Sequence, residues 1–315
     1  MCGIVGYVGK ENPIDVVIKG LFRLEYRGYD SSGIAIHHGE NGIDVTRSVG
    51  GVSELVDALG KKVTDKESTI AIGHTRWATH GAPSDENAHP HYDRNKDFAI
   101  IHNGIIENYA EMKEKLQSDD YQFESETDTE VVAVELSKQW TGNLLETVCK
   151  VAKELDGTYA LVVTTTKQPD TIVAGRMMSP LVLGVGEGEV FLASDSAAIL
   201  EHTNKMIFLE NGDFVEIKDG SYQLFDINMN KISREVQEID WKVSEAEKSG
   251  HDHFMYKEIL EQAEVIERTI TGRLEIGSEE IPVDLNKAKQ FEKIWIVACG
   301  TAYHAGLFGK DLFEK

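Results

Sequence analysis

Cysteine stands at position 2, between Met1 and Gly3, at the head of the apolar run Ile4-Val5-Gly6-Tyr7-Val8. A Met followed by a small residue is a good substrate for removal, which would leave Cys2 with a free α-amine beside its thiol. Free Cys titrates near ~8.5 and an α-amine near ~7.8. The amine is thus a base suited to activating the thiol, as N-terminal Thr nucleophiles are activated by their own amine. Taken alone, Cys2 is more simply an ordinary residue after a start codon.

Three polar clusters could complete a site around it. The densest runs from Gly73 to Gly81 and contains His74, Arg76, Trp77, Thr79 and His80. Arg76 suits a bidentate pair with a carboxylate, Thr79 and His80 add hydrogen-bond donors, and Gly81 permits unusual backbone angles. The same segment also reads as a charged turn around a partly buried Trp77. The second cluster is Ile101-His102-Asn103-Gly104, expected to end a strand. A side-chain amide beside an unobstructed backbone N–H suits an oxyanion hole, where one donor is worth about 3 kcal/mol. Asn-Gly is equally a common turn.

The third cluster is Ser125-Glu126-Thr127-Asp128-Thr129-Glu130, ahead of an apolar helical pattern. Thr127 and Glu130 have capping-box spacing, which makes Asp128 a first-turn residue favoured by the helix dipole. A helix start is also a rigid mount for a carboxylate. Arg76 and Asp128 together complement the carboxylate and ammonium of a free α-amino acid.

His74, His80, His89, His91 and His102 lie close in sequence, but their spacing matches no zinc pattern, and neither a metal nor an organic cofactor is expected. His89-Pro90-His91 reads as a rigid loop. Cys149 and Cys299 read as small buried apolar residues.

The elements that must position these groups alternate between strand and helix. Asn12 and Pro13 open a helix whose apolar positions Val16, Val17, Leu21 and Leu24 recur at helical spacing until Gly28. A hairpin is expected around Glu40-Asn41-Gly42, with strands at 69–74 and 98–102 and helices at 105–116, 129–140 and 144–155. Short β-branched runs from Thr158 to Ile217 imply a second sheet. Two mostly antiparallel sheets with outer helices give a layered α+β domain. Residues 239–250 are polar and read as a linker. Helices near 254–271 and 285–291 follow, then an apolar strand at 294–298 running into Cys299-Gly300-Thr301 and a helix. That order opens a doubly wound parallel sheet, whose turn often cradles a phosphate.

At 315 residues and 41% apolar content the chain has room for about two domains, and its net charge of −22 argues against nucleic acid or anionic membranes as partners. Three widely spaced cysteines favour reduced thiols and a cytoplasmic location.

Taken in order, Cys2-Gly3-Ile4-Val5-Gly6-Tyr7, the stretch from Leu24 to Asp30, Arg76 to Gly81, His102-Asn103-Gly104 and Ser125 to Thr129 closely resemble the glutaminase domain of the glucosamine-6-phosphate synthase family. These are the isomerising glutamine:fructose-6-phosphate aminotransferases. Ser179 to Leu183 and Ala193-Ser194-Asp195 resemble the second half of that domain. Tyr256 to Ile259 with Glu261-Gln262 resembles its interdomain segment, and Cys299-Gly300-Thr301 the opening of its sugar-isomerase domain.

The resemblance implies a four-layer αββα sandwich of the N-terminal nucleophile hydrolase type over residues 1–238. A linker over 239–250 and a truncated α/β sugar-isomerase domain over 251–315 would follow. Cys2 would be the nucleophile, with Asn103 and the Gly104 N–H stabilising the oxyanion. Arg76 would hold the glutamine α-carboxylate, Thr79 and His80 would close over the substrate, and Asp128 would bind the α-ammonium. Trp77 resembles the residue set between the pocket and the ammonia path. Arg27 would support the nucleophile, and Gly300 and Thr301 would begin a sugar-phosphate site.

L-glutamine would be hydrolysed to glutamate and ammonia, with fructose 6-phosphate a partner only of the complete enzyme, a homodimer. This chain is expected to make no glucosamine 6-phosphate. The alternatives are another class II amidotransferase, such as an asparagine synthetase or amidophosphoribosyltransferase, and a glutamine-sensing module without turnover.

Overall fold

A computed structural model describes residues 2–60, 68–78, 81–239, 251, 254–270, 293, 295–298 and 300–314. The chain divides into two units between Ser249 and Gly250. In the first unit, strand β1 (Gly3–Val8) is followed by helix α1 (Pro13–Leu24), β2 (Ser31–His37), β3 (Ile43–Val49), α2 (Val52–Leu59), β4 (Ile70–Arg76), β5 (His91–Tyr92) and β6 (Phe98–Ile106). Helices α3 (Tyr109–Ser118), α4 (Asp128–Lys138) and α5 (Leu144–Ala152) come next. Strands β7 (Gly157–Thr165), β8 (Thr171–Met177), β9 (Val182–Val185), β10 (Val190–Ala193) and β11 (Lys205–Phe208) then lead into β12 (Asp213–Lys218), β13 (Ser221–Asp226), β14 (Lys231–Ile232) and β15 (Gln237–Glu238).

These strands form an eight-stranded sheet, β15-β11-β9-β10-β1-β4-β2-β3, and a seven-stranded sheet, β14-β13-β12-β8-β7-β6-β5. All the pairings are antiparallel. Side chains alternate between the faces of a strand, and β6 shows the consequence. Phe98 and Ile100 pack with Val131, Leu136 and Val148 of α4 and α5, whereas Ala99 and Ile101 pack with Ile4, Ile72 and Leu192 of the facing sheet. A third apolar cluster joins Val17 and Leu21 of α1 and Leu55 of α2 to Val5 and Ala71 on the outer face of the eight-stranded sheet. The layers are therefore helix, sheet, sheet and helix. Each sheet is covered on both faces, which is why β1 reads as a continuous apolar run and every residue in it is buried.

Local signals set several boundaries. Asn12 Oδ1 accepts the Ile14 N–H at 3.0 Å and Pro13 opens α1. The hairpin expected around Asn41 is β2 paired with β3, from Ser31↔Val49 to His37↔Ile43.

Other expectations are corrected. The strand expected to end at His102 runs on to Ile106, paired from His102↔Leu161 to Ile106↔Gly157, and α3 starts at Tyr109 rather than Ile105. Asn103-Gly104 is therefore not a turn. Pairing with β7 and full burial of Ile106 outweigh the helical spacing, a usual result for residues in a buried sheet. Thr127 caps α4 by accepting the Glu130 N–H, but the capping box is not reciprocal. The Glu130 carboxylate instead accepts the backbone N–H groups of Glu124 and Ser125 at 2.8 and 2.6 Å. His91 lies in short strand β5 rather than a loop, and α2 had no sequence-level counterpart.

In the second unit, α6 (Phe254–Ile270) and α7 (Gly300–Phe313) are helices. Residues 295–298 form no strand. Of the linker expected over 239–250, all but Ile239 lies outside the described residues, as do the helix expected at 285–291 and Cys299. Among the described residues no helix is long and apolar enough to cross a membrane.

Candidate active site

Cys2 immediately precedes β1, which runs in the middle of the eight-stranded sheet between β10 and β4. Its Sγ accepts the Trp77 backbone N–H at 3.2 Å and lies 3.5 Å from the Trp77 carbonyl oxygen. Burial pushes the thiol above its ordinary range, and the Trp77 N–H pulls the other way. The net upward shift favours the neutral thiol, which needs a base to attack. Two residues on, the Ile4 N–H donates to Ser194 Oγ at 3.0 Å, and Arg27 donates to the same Oγ at 3.2 Å and to the Ser194 carbonyl at 3.3 Å. Arg27 thus ties the start of β1 to the end of β10.

The loop after β4 is held by Asp30. Its carboxylate accepts the Ala78 N–H, and its own N–H donates to the Arg76 carbonyl at 2.7 Å. The Trp77 ring lies against Gly28, whose φ of +91° and missing Cβ both make room for it.

Asn103 approaches from the facing sheet. Its Nδ2 donates to the Cys2 carbonyl oxygen at 3.1 Å, while its Oδ1 lies 2.9 Å from His74 Nε2. Gly104 follows with φ +134°, and a Cβ there would collide with the Thr158 carbonyl on β7. Asp128, at the first turn of α4, accepts the Ile106 N–H at 2.9 Å and sits 4.0 Å from His102 Nδ1. The Arg76 guanidinium donates to the carbonyls of Gly81 and Ala82 at 3.1 and 3.4 Å, with Asp30 at 3.9 Å.

Cys2, Arg27, Arg76, Trp77, Asn103, Gly104 and Asp128 all line one cleft of about 400 Å³. It brings together a thiol, amide donors, a guanidinium and a carboxylate, groups of the kind that can hold a small zwitterion beside a potential nucleophile. Among the described residues, no group of three His, Cys, Asp or Glu side chains is placed to hold a metal ion.

The sequence pattern of the glutamine amidotransferase domain matches residues 57–247, more than half of the chain. The chain belongs to the glutamine amidotransferase family. This amidotransferase is 48% identical over 316 residues to the isomerising glutamine–fructose-6-phosphate aminotransferase of Thermus thermophilus, and 46% identical over 315 residues to that of Aquifex aeolicus. Both alignments cover 100% of this chain and 52% of the relative, so the chain spans about half the length of these curated relatives. Among solved structures, the glutamine phosphoribosylpyrophosphate amidotransferase of B. subtilis, complexed with ADP and GMP, superposes with a TM-score of 0.62 at 24% identity, over 73% of this chain and 50% of that one. The allosteric regulatory enzyme of purine biosynthesis gives a TM-score of 0.64, also at 24% identity and over the same shares. At that identity the likeness is one of fold.

Seven sequence-expected residues thus meet in the amidotransferase cleft. Thr79 and His80 lie outside the described residues, and Gly300 and Thr301 open α7 in the second unit. Sequence reasoning missed Thr129, His102, Thr158, Ser179 and Pro180, which also line the cleft. Thr129 and Ser179-Pro180 stood inside family-like segments, so a signal existed. Thr158 had none, because only pairing between β6 and β7 brings it there. Of the histidines weighed as metal ligands, His80 lies outside the described residues, while His89, His91 and His102 are buried and hydrogen-bonded to threonines. His89 Nε2 and His102 Nδ1 both meet Thr129 Oγ1, at 2.9 and 3.0 Å, and His91 Nε2 meets Thr127 Oγ1 at 3.0 Å.

Proposed function

We propose that this chain is the glutaminase half of an isomerising glutamine–fructose-6-phosphate aminotransferase, with Cys2 as its nucleophile. The observation that carries the reading is the convergence of Cys2, Arg76, Asn103, Gly104 and Asp128, far apart in sequence, on one cleft. Arg76 takes the α-carboxylate of glutamine and Asp128 its α-ammonium, which aims the side-chain amide at Cys2. Thr79 and His80 would close over the substrate, and Trp77 would stand between the pocket and the ammonia path.

Once Met1 is removed, the Cys2 amine accepts the thiol proton as Sγ bonds to the amide carbon. The carbonyl oxygen becomes an oxyanion held by Asn103 Nδ2 and the Gly104 N–H. The amine then returns the proton to the leaving nitrogen, the C–N bond breaks and ammonia departs. Water adds to the remaining thioester, the C–S bond breaks, and glutamate and the free thiol are released. Arg27 keeps β1 in place throughout. No step requires a metal or organic cofactor.

Residues 1–238 would form the glutaminase domain, 239–250 the linker, and 251–315 the start of a sugar-isomerase domain, with Gly300 and Thr301 at a sugar-phosphate turn. The complete dimeric protein, in the cytoplasm, would deliver the ammonia to fructose 6-phosphate. Ammonia release from L-glutamine, measured for wild type and Cys2→Ala, tests the core of this reading. Turnover should be abolished in the variant. Equal turnover would sink Cys2 as nucleophile, and glutamine binding without turnover in the wild type would favour a sensing module.

A further inference from the structure

The two halves of the cleft belong to different sheets, and one buried side chain bridges them beside the reacting atoms. His74 lies on β4, directly opposite Ile4 of β1. Its ring reaches across to β6, where Nε2 lies 2.9 Å from Asn103 Oδ1 and 3.1 Å from the His102 carbonyl oxygen. Both partners are acceptors, so Nε2 carries the proton. His74 Nδ1 is buried with no hydrogen-bond partner, as expected of an unprotonated ring nitrogen, since a buried N–H without an acceptor costs more than a bare lone pair. The ring packs against that of His89, 4.2 Å between centroids and tilted by 30°, and His89 is itself held by Thr129.

We propose that His74 is a positioning residue that fixes which way the Asn103 amide faces. This rests on the glutaminase reading above. An Asn side chain presents donors at one end and acceptors at the other, and flipping it would set Oδ1 against the Cys2 carbonyl and a developing oxyanion. The His74 Nε2–H accepts only the orientation in which Oδ1 faces the ring. Nδ2 then faces β1, where one hydrogen goes to the Cys2 carbonyl and the second serves the substrate oxygen. Burial keeps His74 neutral by pulling its pKa down to about 3, so this arrangement persists across the physiological pH range.

Four steady-state measurements of glutamine hydrolysis test the role: wild type, His74→Phe, Asn103→Ala and the double variant. His74→Phe keeps a ring against His89 but has no N–H. It should lower kcat about 10²-fold, the scale of a small misplacement of a catalytic group, with KM unchanged. In the Asn103→Ala background the same substitution should cost nothing further, because a residue acting through Asn103 has nothing left to position. His74→Gln, which retains an N–H donor, should recover part of the loss. Equal fold losses in both backgrounds, or a raised KM at constant kcat, would overturn the proposal. If His74→Phe does not fold, long-range ¹⁵N NMR of the wild type decides. Protonated Nε2 with bare Nδ1 is expected, and the other tautomer at pH 7 would overturn it. Full activity of Asn103→Ala would instead sink the oxyanion reading itself, a different result from additive losses.

Discussion

The Asn103 side-chain amide donates to the Cys2 carbonyl oxygen at 3.1 Å, joining the middle of one sheet to the facing one. If Cys2 is the nucleophile proposed above, a donor fixed to its backbone can serve the oxyanion formed there without moving. Asn103→Ala should therefore lower kcat for glutamine hydrolysis by about 10² to 10³ while KM stays near the wild-type value. A change confined to KM would show that the amide acts in substrate binding.

Gly104 tolerates no side chain. Its φ is +134°, and a Cβ would meet the Thr158 carbonyl, a backbone atom of the paired strand that cannot yield. Gly104→Ala should destabilise the fold by about 1–3 kcal/mol and displace the N–H assigned to the oxyanion. Thermal unfolding together with kcat would check this, and an unchanged melting temperature would contradict the steric argument.

Asp128 sits where a carboxylate can meet an ammonium. Asp128→Asn should reduce kcat/KM for glutamine by about tenfold or more, but should barely affect glutaramate, the analogue without an α-amine. Equal losses on both substrates would assign Asp128 to holding Ile106 rather than to recognition.

Arg76→Lys replaces a rigid fork with a single ammonium. A raised KM for glutamine, by about 10-fold to 100-fold, is expected with little change in kcat. A fall in kcat at constant KM would point to the loop held beside Cys2 rather than to the substrate carboxylate.

The buried histidines make stability pH-dependent. His74 titrates at about 3 in the fold against an ordinary 6.5, and burial holds His89 and His91 well below 6.5 as well. Between those values the unfolded chain binds more protons than the native one. Their contribution is complete above pH 6.5 and is lost as pH falls below it, for His74 until about 3, each group adding a slope of up to about 1.4 kcal/mol per pH unit. Melting temperatures should drop between about pH 6.5 and 4.5, and a flat profile would mean that these rings are charged in the native state.

The chain by itself determined the types of group available and the elements that carry most of them. Short apolar and β-branched runs indicated two sheets, Asn12-Pro13 and Thr127 indicated helix starts, and the ordered motifs from Cys2 to Thr129 carried the resemblance to a glutaminase domain. It did not determine the extent of β6. Local spacing at Ile105 and Ile106 favours a helix, and only pairing with β7 together with the burial of Ile106 keeps those residues extended. Nor did it reveal that His74, His89, His91 and His102 hold Asn103 and the start of α4. Hydrogen bonds across two sheets join residues on strands that are not sequence neighbours, so no local pattern encodes them. Cys2 and Asn103 are separated along the chain by α1, α2 and several strands, and their meeting was decided by the stacking of one sheet on the other.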